Sequence, residues 1–428
     1  MPMGRNLATA TGSILGFLAL IVATGGAGRG LVAWLTTFLL ATAATLRYSR
    51  KRRRGRLLAV ATAAALTVTV CIPTVPAERR YPADLPFVVT QHWRLATGSR
   101  VAVYHYPPAA GAPHRATPLV YLHGGPIRGI ALLDHTFLRQ LAGQGYDVYS
   151  YEQAGGGRSD LLPMPQYTVD RLTTDLGAFI DHLGRGPVDV LGFSSGAIVL
   201  TRALTDPGVA ARVHRAIIAE PGPMDGPTSR IDGPAGRPSA RDSAAAPPGA
   251  RSTYLPRYGV TFGLMRLGLL KLDNGLIGQA EGVNAFTAAD LGSDTASAYC
   301  ARDALRIPVE DSPQNFSFNA AASLRVQETL IDSPSIAPQL SRSRTPAMLM
   351  IAECSAQVRQ WQTAVLAADP AIRRTQYLPG VGHHMWNGLD DNNQRAAAVI
   401  TAFLADQPAP LPDYPTRADI AAFLQGHR

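Results

Sequence analysis

Apolar positions fall into three regimes along the chain. In the first they are nearly continuous: Leu7–Ala27, Leu31–Leu46 and Leu57–Val75 carry almost no charge. The first stretch is long enough to cross a bilayer as a helix, and the other two lie near the lower limit. In the second regime, apolar and polar residues alternate over Phe87–Tyr106 around Thr97-Gly98-Ser99, which predicts an antiparallel hairpin. The third is a series of short apolar runs: Leu119–Leu122, Asp147–Tyr151, Val188–Leu191, Ala216–Ala219, Ala347–Ile351 and Thr375–Leu378. Helical spacing separates them in Phe137–Gln144 and Val169–Leu183, and Ala396–Ala405 supplies a closing helix. Strands alternating with helices predict an α/β fold with a doubly wound, mostly parallel sheet.

The alternation stops between Pro221 and Thr345. Asp225–Pro256 is rich in Pro, Gly, Ser, Arg and Ala, which predicts a long mobile loop, while Tyr258–Asp273 and Ala288–Leu305 have helical patterns. An insertion here predicts a helical lid above the carboxyl edge of the sheet, where α/β folds bind ligands. Met265, Leu267, Leu269, Leu270 and Leu272 fit the core of that lid, with an acyl pocket or a membrane contact as the alternatives. The expected organisation is an anchor of about three transmembrane helices over 1–77, a linker over 78–86 and core halves over 87–221 and 346–406. The lid occupies 222–345, with its mobile loop at 225–256, and a tail occupies 407–428.

The net charge of +9 over 428 residues is local. Arg47, Arg50, Lys51, Arg52, Arg53, Arg54 and Arg56 carry most of it between two apolar stretches, which argues against a nucleic-acid partner and for a lipid bilayer. The positive-inside rule keeps this cluster cytoplasmic and delivers everything after Val75 to the extracytoplasmic side of the cell membrane. A competing reading treats Lys51–Ala77 as a signal peptide with Val75-Pro76-Ala77 as a poor cleavage site. Outside the cytoplasm a Cys300–Cys354 disulfide is permitted. The histidines and cysteines lack metal-ligand spacing, and no cofactor is expected.

Candidate chemistry concentrates where strands end. Val188–Leu191 runs into Gly192-Phe193-Ser194-Ser195-Gly196, and Ala197–Leu200 then starts a helix. Strand, tight turn and helix around Gly-x-Ser-x-Gly describe a nucleophile elbow, with Ser194 lifted above the sheet. Gly192 and Gly196 fall where a Cβ would collide with neighbouring elements. His383 follows Gly380-Val381-Gly382 after the last strand and is the candidate base, with His384 as the alternative. Leu122-His123-Gly124-Gly125-Pro126 follows another strand, and its glycines permit close backbone approach to a reacting oxygen. The amides of Gly125 and Ser195 are the candidate oxyanion donors, and His123 a hydrogen-bonding residue beneath that loop.

These motifs resemble the α/β-hydrolase superfamily, most closely its proline iminopeptidase-like branch. The resemblance rests on His123-Gly124-Gly125-Pro126, on Gln153-x-Gly155-x-Gly157-x-Ser159, on the Ser194 elbow and on the Gly-x-Gly-His383 loop, and it spans roughly Phe87–Leu404 without the lid. It implies that Gln153 through Ser159 brace the mouth of the active site. Two departures stand out. Ile127 follows the His-Gly-Gly-Pro run where the branch usually has glycine, and Ser355 stands where the family places its triad aspartate. Glu220, at the end of Ala216–Ala219, is the first substitute acid; Glu353 is the alternative, and Asp225, another carboxylate or no acid remain.

The expected function is a membrane-anchored serine hydrolase that cleaves an ester or amide of a small-molecule or peptide substrate through an acyl-enzyme. Aminopeptidase activity is implied by the resemblance and would need lid carboxylates for the substrate amine, with Glu281, Asp290, Asp294, Glu310 and Glu328 as candidates. The alternatives are a carboxylesterase or lipase-like enzyme, and a non-catalytic binding protein lacking the usual acid.

Overall fold

Eight strands build one sheet in the order β1-β2-β4-β3-β5-β6-β7-β8. They come from a computed structural model that describes residues 88–230, 318–354, 359–386 and 390–412. In chain order the strands are β1 (Val89–Arg94), β2 (Arg100–Tyr106), β3 (Leu119–Leu122), β4 (Val148–Tyr151), β5 (Val188–Phe193), β6 (Val213–Ala219), β7 (Ala347–Cys354) and β8 (Ile372–Gly382). β1 and β2 form the predicted hairpin, and β2 pairs antiparallel with β4. From β4 to β8 every pair is parallel. The α/β class, the parallel sheet and the hairpin are therefore as the residue pattern predicts.

Composition explains the central strands. β3, β4 and β5 are buried at every residue, as expected where helices cover both faces of a parallel sheet. The longer helices are α1 (Leu132–Gly143), α2 (Val169–Leu183), α3 (Ser195–Ala203), α4 (Ala320–Ile331), α5 (Arg359–Ala368) and α6 (Asp390–Leu404). The bounds of α2 match its apolar periodicity because both ends carry local stop signals. Thr168 accepts the Arg171 amide at the start, and Gly184 closes the end in the left-handed region at φ 65°.

Several strand and helix boundaries differ from the sequence reading. β5, β6 and β7 each extend beyond their most apolar stretch. β8 runs on through Leu378–Gly382, which the glycine spacing had suggested was loop. A register shift between Ala352 and Cys354 lets the two strands stay paired up to Cys354 and Gly382, and Gly380 absorbs the irregularity at φ 72°. Gln407, Leu411 and Pro412 dock through their carbonyls on Arg374 and Gln376 of β8.

Among the described residues no helix is long and apolar enough to cross a membrane. Leu7–Ala27, Leu31–Leu46, Leu57–Val75, the basic cluster and the 78–86 linker lie outside the described residues. So do 231–317 of the insertion, Cys300 and Ser355. The described parts of the insertion are a short turn at Gly226–Ser229, α4 and a short turn at Ala337–Leu340.

Candidate active site

The carboxyl ends of β5, β6 and β8 bring three distant residues together. His383 places Nε2 3.0 Å from Ser194 Oγ and Nδ1 3.2 Å from Glu220 Oε2. Glu220 is fully buried and the His383 side chain is 14% exposed. The imidazole therefore bridges a hydroxyl and a carboxylate, one at each ring nitrogen.

Ser194 holds φ 53° and ψ −115° between β5 and α3, a region that residues with a Cβ rarely enter. Its hydroxyl makes no capping bond to the helix it precedes. Glu220 is also left-handed, at φ 50°, immediately before Pro221, whose ring further restricts the preceding backbone. Main-chain bonds hold both strained residues: the Ser194 amide donates to Ala219 O at 2.9 Å and the Glu220 amide to Met350 O at 3.0 Å. The elbow is thus tied to the residue next to the carboxylate.

Of the two candidate acids, only Glu220 faces the imidazole. Its Oε1 accepts the Ala352 amide at 2.7 Å and Gln362 Nε2 at 2.9 Å, which leaves Oε2 for His383. Glu353 instead accepts the Gly380 amide at 2.5 Å. It braces the bulge that leads to the histidine, because successive strand residues point to opposite faces. Asp225 is not an acid in this arrangement either. It caps the Gly226–Ser229 turn and accepts the Ile336 amide at 2.9 Å.

His383 is anchored three residues downstream. Trp386 is buried, stacks on Phe137 of α1 at 4.7 Å between ring centroids and donates from Nε1 to Asp134 Oδ1 at 2.6 Å. Phe193 lies against both His383 and Trp386. His384 presents its ring edge-on to Phe193, so it is not the histidine that bridges the two oxygens.

The His123–Pro126 loop closes on Ser194. A Cβ at Gly124 would approach Ser194 Cβ to 3.0 Å. Ser195 opens α3, so its amide has no carbonyl one turn back to bond, and Gly125 donates no main-chain bond among the described residues. His123 is buried, which pushes its pKa down to about 4 and keeps the ring neutral. Nε2 accepts the Gln153 amide at 3.3 Å, so the proton sits on Nδ1 and is donated to Gly124 O at 2.9 Å. Gln153 Oε1 in turn accepts the Ile127 amide at 2.8 Å. Ser159 Oγ accepts the Ala102 amide and donates to Glu152 O. The bracing implied for Gln153 through Ser159 is made of these bonds.

Residue patterns did not single out Gln362, Trp386, Asp134 or Arg128. None of them belongs to a short motif; packing between elements brings Gln362, Trp386 and Asp134 to the site, and a local turn brings Arg128. Among the lid carboxylates Glu328 is exposed and pairs with Arg325 at 3.0 Å; Glu281, Asp290, Asp294 and Glu310 lie outside the described residues. No group of three or more His, Cys, Asp or Glu gathers among the described residues in a way that could hold a metal ion.

The sequence model of the Alpha/beta hydrolase family matches residues 119–402, more than half of the chain. Solved structures to which this chain is similar include a proline iminopeptidase from Mycobacterium smegmatis, 18% identical with a TM-score of 0.46, covering 78% of this chain and 100% of its own. An esterase from Exiguobacterium antarcticum is 15% identical with a TM-score of 0.45, covering 74% and 100%. A thermophilic esterase from Thermogutta terrifontis is 14% identical with a TM-score of 0.48, covering 74% and 98%. A search of curated protein sequences finds no match.

Proposed function

Because this chain belongs to the alpha/beta hydrolase family, we propose that it is a serine hydrolase of esters or amides in which Ser194, His383 and Glu220 form the triad. The observation that carries this reading is the position of His383, with one ring nitrogen on Ser194 Oγ and the other on Glu220 Oε2. In the first step Ser194 Oγ attacks the substrate carbonyl as its proton passes to His383 Nε2. Glu220 stabilises the resulting imidazolium and holds the tautomer that leaves Nε2 free to accept. The amides of Gly125 and Ser195 receive the oxyanion. His383 then gives its proton to the leaving group, and a water molecule repeats the sequence on the acyl-serine.

The contact between Glu220 and His383 favours a catalytic reading over the non-catalytic one, whose motive was the absence of aspartate at position 355. Fluorophosphonate labelling of the full-length chain tests the reading. Covalent capture that disappears in Ser194→Ala supports it, and an unreactive parent overturns it. The resemblance of the His123–Pro126 and Gln153–Ser159 motifs to the iminopeptidase-like branch makes aminoacyl amides the first substrates to try, beside acyl esters. Turnover of p-nitrophenyl esters without any release from aminoacyl-naphthylamides would assign the chain to the esterases.

The three apolar stretches before Val75 and the basic cluster from Arg47 to Arg56 support a membrane anchor with the hydrolase domain outside the cytoplasm. Membrane fractionation with protease accessibility in intact spheroplasts checks this. Recovery of the full-length chain in the soluble fraction would exclude it.

A further inference from the structure

A buried cation sits behind the oxyanion loop. Arg128 is 6% exposed, and its Nε donates to Gly124 O at 2.9 Å. The same oxygen takes the His123 Nδ1 proton, also at 2.9 Å. Both lone pairs of this carbonyl are therefore engaged, one by a charged donor and one by a neutral donor.

The peptide plane carries the consequence to the reaction site. In a trans peptide the carbonyl of Gly124 and the N–H of Gly125 point in opposite directions across one rigid unit. Fixing the oxygen at two points fixes the direction of the Gly125 hydrogen. Drawing electron density toward the oxygen also strengthens that hydrogen as a donor, by about 10–30% per bond in cooperative chains. A charged donor has roughly twice the effect of a neutral one.

Local backbone geometry brings Arg128 there. Gly125 at φ 61° and Ile127 at φ 58° turn the chain back on itself. The arginine stem lies under Gly125, where a Cβ would stand 2.8 Å from Cδ and 2.9 Å from Nε. The turn is locked by the Ile127 amide on Gln153 Oε1 and by the Asn319 amide on Ile127 O at 2.9 Å. Burying a guanidinium is costly, and an apolar side chain would fill this space without that cost. Resting on the serine-hydrolase reading above, we infer that Arg128 is a positioning residue that aims and polarises the Gly125 amide of the oxyanion hole.

The test uses the full-length chain, p-nitrophenyl butyrate as substrate and butaneboronic acid as a mimic of the tetrahedral adduct. Arg128→Met keeps the stem under Gly125 and removes the donor and charge. Its kcat is expected to fall about 10- to 100-fold, below the roughly 10²–10³ lost with a whole oxyanion-hole donor, with KM changed less than about threefold. The boronate inhibition constant rises in step with the loss of kcat. The acid limb of the kcat/KM profile stays in place, because the His383–Glu220 pair is untouched. Arg128→Lys recovers little, since an ammonium cannot present the planar Nε–H.

A kcat for Arg128→Met within threefold of the parent overturns the inference. So does a loss confined to KM with unchanged boronate affinity, which marks general loop damage. Should Arg128→Met fail to fold, Arg128→Lys is judged by the same criteria. A parent that neither hydrolyses ester nor reacts with fluorophosphonate at Ser194 defeats the hydrolase reading, and this inference with it. An active parent beside a normal Arg128→Met variant removes the role of Arg128 alone.

Discussion

Gln362 donates from Nε2 to Glu220 Oε1 at 2.9 Å, 142 positions away in sequence and with both side chains fully buried. Among the described residues Gln362 Oε1 has no hydrogen-bond partner, and an unmet buried acceptor costs about 1–3 kcal/mol. The amide therefore serves the carboxylate, holding one oxygen so that the other meets His383. A hydrogen bond to a charged group contributes about 1.5–3 kcal/mol. Gln362→Leu should accordingly lower kcat about tenfold or somewhat more with KM nearly unchanged. Ester hydrolysis measured beside thermal unfolding checks this, and a variant with normal kcat would remove the support role.

Two glutamates near one histidine make opposite predictions. Replacing Glu220 with Gln keeps the shape and removes the charge that stabilises the imidazolium, with an expected loss of about 10³–10⁴ in kcat by analogy with other triads. Replacing Glu353 with Ala removes the brace on Gly380, and about tenfold is expected for one charge-assisted hydrogen bond. Steady-state kinetics of the two variants at one pH decide the matter. A larger loss in the Glu353 variant would exchange their roles.

Much of this site was legible because its chemistry sits in short motifs. Gly192-Phe193-Ser194-Ser195-Gly196 shows both the strained turn and the candidate nucleophile, and Gly380-Val381-Gly382-His383 shows the candidate base. Glu220 was reached as a candidate acid through the resemblance, from its place at the end of the strand before Pro221. Support was not legible. Gln362 lies on α5 and Arg128 two residues past Pro126, and neither has a local pattern that distinguishes it from any helix or loop residue. Their roles arise only when β6, β7 and α5, or Gly124 and Arg128, are folded against one another. The extension of β8 through Pro379 and Gly380 was hidden for the opposite reason. Its residues read locally as a turn, and pairing with β7 overrides that preference.

Ile127 poses a question of magnitude. A β-branched residue at φ 58° stores about 1–3 kcal/mol of backbone strain, which glycine would relieve. The side chain is fully buried, however, and truncating a buried isoleucine to alanine costs about 2–5 kcal/mol. Glycine adds about 0.5–1 kcal/mol more through the entropy of the unfolded chain. Burial outweighs strain, so Ile127→Gly should destabilise the domain by about 1–3 kcal/mol. Urea unfolding monitored by tryptophan fluorescence measures it. A stabilised variant would mean that strain dominates at this turn.

Acid stability is set by groups that pull in opposite directions. Burial lowers His123 to about 4 and His135 to about 3, from an ordinary 6.5. Below 6.5 the unfolded chain binds protons that the folded chain refuses, so their contribution to stability is lost as pH falls from 6.5 toward 4 and below. Asp189 at the start of β5 behaves inversely. Burial raises it from 3.8 to about 6, against the opposing pull of His214 and Arg215. Between those values the folded chain holds a proton that the unfolded chain has released, so this contribution is present at low pH and is lost as pH rises through 6. Asp189 thereby offsets part of the histidine slope between pH 4 and 6. Asp189→Asn removes the offset, and its stability should fall with acid more steeply than the parent's by up to one proton, about 1.4 kcal/mol per pH unit. Urea midpoints of both proteins from pH 4 to 7 give the two slopes; parallel lines would show that Asp189 is ionised in the folded protein throughout that range.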